Sequence, residues 1–246
     1  MDSGFYAACT ALLARNQALD LVANNLANVG TPGFRGQHGV FRSLLASSSI
    51  MQPSSLNRAV NNYAVLGDAD LDLSQGNVEH TGNDLDFALQ GSGFFAVKTG
   101  STTMFTRNGN FHVSAQGQLV TAAGDPVMGD NNGPIQIVGA PVSVSADGTI
   151  SVNGVLAGKL KVVDFPAGTQ LTALGQSYYS APANTKTSAS QASIQQGGLE
   201  SSNVNEVSSA VQLVTVQRYA ELMQRALYLF HSEMNQIATQ ELPKIS

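Results

Sequence analysis

Four acidic residues, Asp68, Asp70, Asp72 and Glu79, stand at positions 1, 3, 5 and 12 of the loop that binds calcium between two helices. Oxygen ligands at that spacing suit a hard cation, but the sharp turn at position six requires glycine and Leu73 occupies it. Asp70-Leu71-Asp72-Leu73 alternates as a half-buried strand does, so the carboxylates read as a solvated strand face. Asp84 and Asp86 have the chemistry of a glycosidase acid and base, yet alternate strand positions set both on one face, and the chain has no Trp to supply a sugar platform. Gly91-Ser92-Gly93-Phe94-Phe95-Ala96 imitates a dinucleotide fingerprint, but Val97-Lys98-Thr99-Gly100 turns where a helix would have to open, so it reads as a hairpin turn needing positive φ. His38, His80, His112 and His231 are scattered without metal-ligand spacing, and the single cysteine, Cys9, reads as a small buried hydrophobe. These readings predict no catalytic, cofactor or metal site.

Composition narrows the classes further. Among 246 residues 43% are hydrophobic, enough for a core, and only 12% are charged, so much of the surface is neutral and polar and suited to packing against copies of itself. A net charge of −5 argues against a phosphate-neutralising groove, and nucleic acid is excluded as a main partner. The start lacks a basic region followed by an apolar run, and no stretch approaches the ~18 apolar residues of a membrane-spanning helix, so no cleaved signal and no transmembrane segment are expected.

The two ends read as helices. Over residues 4–28, Phe5, Cys9, Leu12, Asn16, Leu19, Ala23 and Leu26 alternate four and three apart, a heptad seam; Gly30-Thr31-Pro32-Gly33 ends the helix because Pro32 disfavours helix at Thr31. At the other end Asn203-Val204-Asn205-Glu206 resembles a capping box. Val204, Val207, Val211 and Val214 then form one stripe, and Leu213, Val216, Ala220, Met223, Leu227, Phe230, Met234 and Ile237 a second, until Pro243 stops the helix. Such a helix spans roughly 54 Å, more than a small domain can cover without a partner helix.

Between them, over residues 71–179, the period changes to two and turn signals recur, the pattern of a mainly antiparallel β-domain. Asn108-Gly109 and Asp147-Gly148 each separate two apolar runs and suit type I′ hairpins, and residues 159–165 read as one strand. Residues 46–70 and 180–199 read as extended connectors. The class is α+β: terminal helices at 1–45 and 200–246 paired as a coiled coil, with the β-domain between.

Three groups of residues now carry a resemblance. Ala23-Asn24-Asn25-Leu26-Ala27-Asn28-Val29-Gly30-Thr31-Pro32-Gly33-Phe34 resembles the N-terminal signature of bacterial flagellar rod and hook proteins. Leu199-Glu200-Ser201-Ser202-Asn203-Val204 with Val216-Gln217-Arg218-Tyr219 resembles their C-terminal helix. Residues 81–95 and Thr106-Arg107-Asn108-Gly109-Asn110-Phe111 are similar to the opening of the rod β-domain. Within the family, Gly133-Pro134-Ile135-Gln136-Ile137 and the short length look most like the proximal-rod subunit. The resemblance implies a non-enzymatic structural subunit of the basal-body rod, without cofactors, exported through the flagellar type III apparatus without signal cleavage. It implies polymerisation with copies of itself and other rod subunits into an axial tube that transmits torque across the periplasm and peptidoglycan. The assembly interface expected from it comprises Leu12, Leu19, Asn24, Asn25, Leu26, Asn28, Val204, Val207, Val211, Val214, Val216, Met223, Leu227, Phe230 and Met234, with Gly30, Pro32 and Gly33 as the helix-ending turn. The alternatives are a distal-rod or hook subunit, and a secreted glycan-binding or adhesive β-module on a helical stalk.

Overall fold

The computed structural model describes residues 2–42, 65–183 and 185–241. The chain divides into two units, residues 1–26, 37–69 and 206–246 in one, residues 27–36 and 70–205 in the other.

The first unit holds both long helices, α1 (Asp2–Ala27) and α2 (Glu206–Glu241), and a two-stranded sheet of Gln37–Arg42 with Val65–Leu71. At 36 residues α2 reaches the length that its stripes imply, and Glu206 in its first turn complements the helix dipole. Asn203 does not form the expected box. Its Oδ1 accepts the Gly36 N–H at 2.8 Å and its Nδ2 donates to the Asp72 carbonyl at 2.8 Å, so the amide ties loops together and is not free to cap. Along α1, Ala14 and Asn25 are buried while Asn16 and Ala23 are exposed, so the covered face lies beside the seam through Leu12, Leu19 and Leu26, which are half-buried. Cys9 is exposed for the same reason.

The second unit is the β module. Its main sheet is antiparallel in the order Thr172–Gly175, Tyr178–Ser180, Thr102–Thr106, Phe94–Thr99, Val162–Asp164, Ser188–Ala189. A three-stranded sheet orders Val155–Lys159, Thr149–Val152, Val142–Val144. Three strand pairs complete it: Ser193–Gln196 with Phe87–Gln90, Gly198–Glu200 with Val78–His80, and Phe111–Val113 with Leu119–Thr121. The run Phe94-Phe95-Ala96-Val97 is buried on both faces, because alternate side chains of this central strand enter different cores. Phe95 and Val97 join Phe87, Phe111, Leu119, Ile150 and Leu160, with Phe95 edge-on to Phe111 at 5.3 Å. Phe94 joins Leu171 and Tyr179.

Three turn readings change. Asn108-Gly109 does not join a hairpin, since Thr102–Thr106 pairs with Phe94–Thr99 and Phe111–Val113 with Leu119–Thr121. The Asn108 N–H donates to Thr106 Oγ1 and the Asn110 N–H to Asn108 Oδ1, and the resulting bend lays Gly109 on Phe87, where a Cβ would sit 1.7 Å from the Phe87 carbonyl oxygen. Asp147-Gly148 does close a hairpin, but only Gly148 has positive φ and the Gly148 N–H donates to the Ser145 carbonyl, a turn followed by a left-handed residue in place of type I′. Gly91-Ser92-Gly93 has the expected positive φ yet carries the chain from one sheet into another, since its flanking strands do not pair.

The strand read over 159–165 breaks at Leu160, its halves serving different sheets. Residues 180–199, read as a connector, carry strands paired into the module, because Gln195, Gln196 and their neighbours match the edge of Phe87–Gln90. Of the other connector, residues 46–64 lie outside the described residues.

Candidate assembly site

The expected helix-ending turn is where the described contacts converge. α1 ends at Ala27, the Thr31 N–H donates to the Asn28 carbonyl at 3.1 Å, and the Thr31 hydroxyl donates to Asn28 Oδ1 at 3.2 Å. Gly33 follows at φ +67°, with the Arg107–Asn108 peptide so near that a Cβ would lie 2.3 Å from it. Only glycine fits there. Among the described residues no atom beyond its chain neighbours lies within 4 Å of a Cβ placed on Gly30, so the two glycines of this turn do different things.

Beyond Gly33 the chain enters an ionic knot. Arg35 and Glu200 are both 0% exposed and Arg107 3%. Arg35 Nη2 donates to Glu200 Oε1 at 2.6 Å, and Arg107 Nη1 to Oε2 at 3.1 Å. The Gly76 N–H shares Oε1 at 2.9 Å, and Arg107 Nη2 reaches the Gly91 carbonyl at 2.7 Å. The Gly33 N–H donates to the Glu200 carbonyl at 2.7 Å, and the Arg35 N–H to the Tyr179 hydroxyl at 2.9 Å. Burial lowers the Arg107 pKa, an effect that Glu200 opposes and Arg35 reinforces, and burial pushes the Tyr179 phenol up to about 12. Breaking such a pair on one side typically costs about 3–5 kcal/mol. Nothing in the spacing of the sequence pointed to this knot; the available signal was that Arg107 and Glu200 lie within the stretches that carry the family resemblance and Arg35 directly follows one.

In the helical unit, Asn25 is buried, its Nδ2 donating to the Gln37 carbonyl at 2.8 Å while its Oδ1 accepts the Gln37 N–H at 2.9 Å. The amide thus closes the excursion over residues 26–36. Asn24 is exposed and Asn28 half-buried. On α2 the second stripe is the sheltered one, with Ala220 buried and Val216, Met223 and Leu227 half-buried. The first stripe is open: Val207 is 73% exposed, Val211 61% and Val214 49%, while Val204 is half-buried. Tyr219 carries the Arg15 guanidinium 5.4 Å from its ring centroid, one contact between α2 and α1. The side chains of Phe230 and Met234 lie outside the described residues.

The chemistry set aside from sequence stays apart. Asp86 is buried and saturated by neutral donors, Thr81 Oγ1 at 2.7 Å, Asn83 Nδ2 at 3.1 Å and Asn110 Nδ2 at 3.0 Å, while Asp84 is exposed. Asp72 Oδ1 accepts the Ser74 N–H. Among the described residues no group of three or more His, Cys, Asp or Glu could hold a metal ion, and no helix is long and apolar enough to cross a membrane.

Known proteins match both units. A family described as flagella basal body rod protein covers residues 5–35, α1 through Arg35, and one described as the flagellar hook protein FlgE/F/G D1 domain covers residues 88–152 of the β module. The flagellar basal-body rod protein FlgF of Mesorhizobium japonicum is 33% identical over 226 residues, 90% of each chain. The chain belongs to the flagellar basal-body rod protein family. FlgF of Caulobacter vibrioides is 32% identical with all of both chains aligned, and the rod protein FlgG of Buchnera aphidicola from Acyrthosiphon pisum is 31% identical over 89% of this chain and 92% of its own. As a rod-family member the protein is structural and not an enzyme.

Proposed function

We propose that this rod-family protein is the proximal-rod subunit, polymerising through α1 and α2 into the axial tube that carries torque across the periplasm and peptidoglycan. Its role is that of a structural subunit of the flagellar basal-body rod. The observation that carries the polymerisation reading is the divided face of α2: Leu213, Val216, Ala220, Met223 and Leu227 are sheltered to different degrees, while Val207, Val211 and Val214 stay in water. A single helix with one apolar stripe covered and another open is suited to serve its own chain with the first and a neighbour with the second. The Arg15–Tyr219 contact supports pairing of the two helices as a coiled coil, with Leu12, Leu19 and Leu26 along the seam. Relatives of both names, FlgF and FlgG, align over most of the chain, and the full-length match to the FlgF of Caulobacter vibrioides favours the proximal assignment. The subunit passes the flagellar type III export apparatus, and other rod subunits are its neighbours.

The test is to tag the chain in a motile strain and image purified basal bodies. A label on the cell-proximal part of the rod is expected; a label on the hook, or none on basal bodies, overturns the assignment. In the same strain Val207→Lys with Val211→Lys should leave the purified subunit folded and abolish its incorporation, because each side chain is open in the free subunit and a buried charge costs several kcal/mol in a joint. Normal motility of that variant would remove α2 from the interface.

A further inference from the structure

Two guanidiniums face one carboxylate in the knot, and the surplus is visible in the hydrogen bonds. Arg35 Nε and Nη1 and Arg107 Nε are buried without a hydrogen-bond partner among the described residues. Among the described residues Glu200 is the carboxylate that both guanidiniums hydrogen-bond. It also gathers three separate stretches, residues 33–35 through its backbone carbonyl and Oε1, Gly76 through Oε1, and Arg107 through Oε2. Asn203, three residues on, adds Gly36, Asp72 and Ser74. Arg35 and Glu200 are 165 positions apart, and synthesis runs from the N-terminus, so both arginines exist long before their anion.

We propose that Glu200 is a closing latch: the segment over residues 33–36 settles into the β module only when this carboxylate docks between Arg35 and Arg107, so the stretch that follows α1 is locked by the stretch that precedes α2. An open chain holds two enclosed cations with no hydrogen-bonded carboxylate, only the more weakly acting Asp164 and the Phe94 ring beside Arg107, and the cheapest relief is for Arg35 to leave, taking Gly33 and Gly36 off their partners. A finished module thus reports that its C-terminal segment has arrived. This goes beyond the rod assignment and rests only on the geometry of the module.

The test is hydrogen exchange resolved by residue on the full chain. In the unaltered protein the amides of Gly33, Arg35 and Gly36 exchange slowly. In Glu200→Gln they should lose protection by ~100-fold or more, the factor that a broken buried pair implies, while Phe94 to Val97 stay protected. Unchanged protection at 33–36 overturns the latch. If Glu200→Gln yields no folded chain, Arg35→Gln decides, because it leaves Arg107 and Glu200 as a balanced pair. Loss of protection confined to 33–36 supports the proposal; loss spread through the module, or none, overturns it.

Discussion

The guanidinium of Arg15 lies 5.4 Å from the ring centroid of Tyr219, joining a residue of α1 to one of α2 across 204 positions of sequence. Tyr219 is about half exposed, so the pair belongs to the weaker class of such contacts, worth about 0.5–1 kcal/mol. Arg15→Ala and Tyr219→Ala, alone and together, should show that coupling in a double-mutant cycle read by helical circular dichroism during thermal unfolding. Strictly additive losses would mean that the two side chains meet without holding the helices.

Gly33 and Gly30 separate two explanations of the turn after α1. Gly33→Ala places a methyl 2.3 Å from the Arg107–Asn108 peptide at a φ that L residues avoid, and should destabilise the module by more than ~3 kcal/mol in urea unfolding. Gly30→Ala meets no atom and should be neutral within ~0.5 kcal/mol or slightly stabilising. Equal effects would show that flexibility, and not close approach, is what the turn requires.

Gln176 and Ser177 form a two-residue connection between Thr172–Gly175 and Tyr178–Ser180 with φ of 53° and 58°, the torsions of a type I′ turn without its usual glycine. The Ser177 hydroxyl is also buried without a partner among the described residues. Ser177→Gly removes both penalties and should raise stability by about 1 kcal/mol, visible as a higher urea midpoint at unchanged slope. A lower midpoint would show that the hydroxyl has a role in the fold.

Alkaline pH should weaken the module. Burial raises Tyr178 and Tyr179 from 10.0 to about 12, so the folded state holds its phenol protons more tightly than the unfolded chain. Their contribution is complete below pH 10 and is lost as pH rises from about 10 to 12, because the unfolded chain releases protons first. Urea midpoints should fall steeply over that range, and less so in Tyr179→Phe compared at each pH with its own value at neutrality. Titration of the Tyr178 and Tyr179 phenols themselves near pH 10, followed residue by residue in the folded protein by NMR, would contradict this.

What could be read from sequence follows the range of the interactions involved. The 36 residues of α2 and the split of its apolar residues into two stripes are local periodicity, and both appear in the fold. Two of the three Asn-Gly pairs show the limit of local signals. Asn153-Gly154 turns Thr149–Val152 into Val155–Lys159 with positive φ at both residues, a hairpin that its flanking apolar runs could have announced and that went unread. Asn108-Gly109 looks the same in sequence, yet its flanking runs prefer distant partners, and the glycine is spent on the approach to Phe87. On α1 the buried Ala14 and Asn25 lie to one side of the half-buried Leu12, Leu19 and Leu26, so the covered face is rotated from the heptad seam and leaves its Asn16 and Ala23 exposed. The Arg35–Glu200–Arg107 knot was out of reach, since its members are ordinary surface-type residues until a fold brings them within 2.6 to 3.1 Å.

The hydrogen bond from the Gly33 N–H to the Glu200 carbonyl has a mechanical consequence. Force entering the module at residue 27 and leaving at residue 205 meets this bond, the Arg35–Glu200 pair and the Gly36–Asn203 bond before it meets any strand of the hydrophobic core. Tension is therefore short-circuited through a few polar contacts at the root of the module. The core around Phe87, Phe95 and Phe111 lies off that direct path, so the surface of the module is free to vary without altering how these contacts bear a pull.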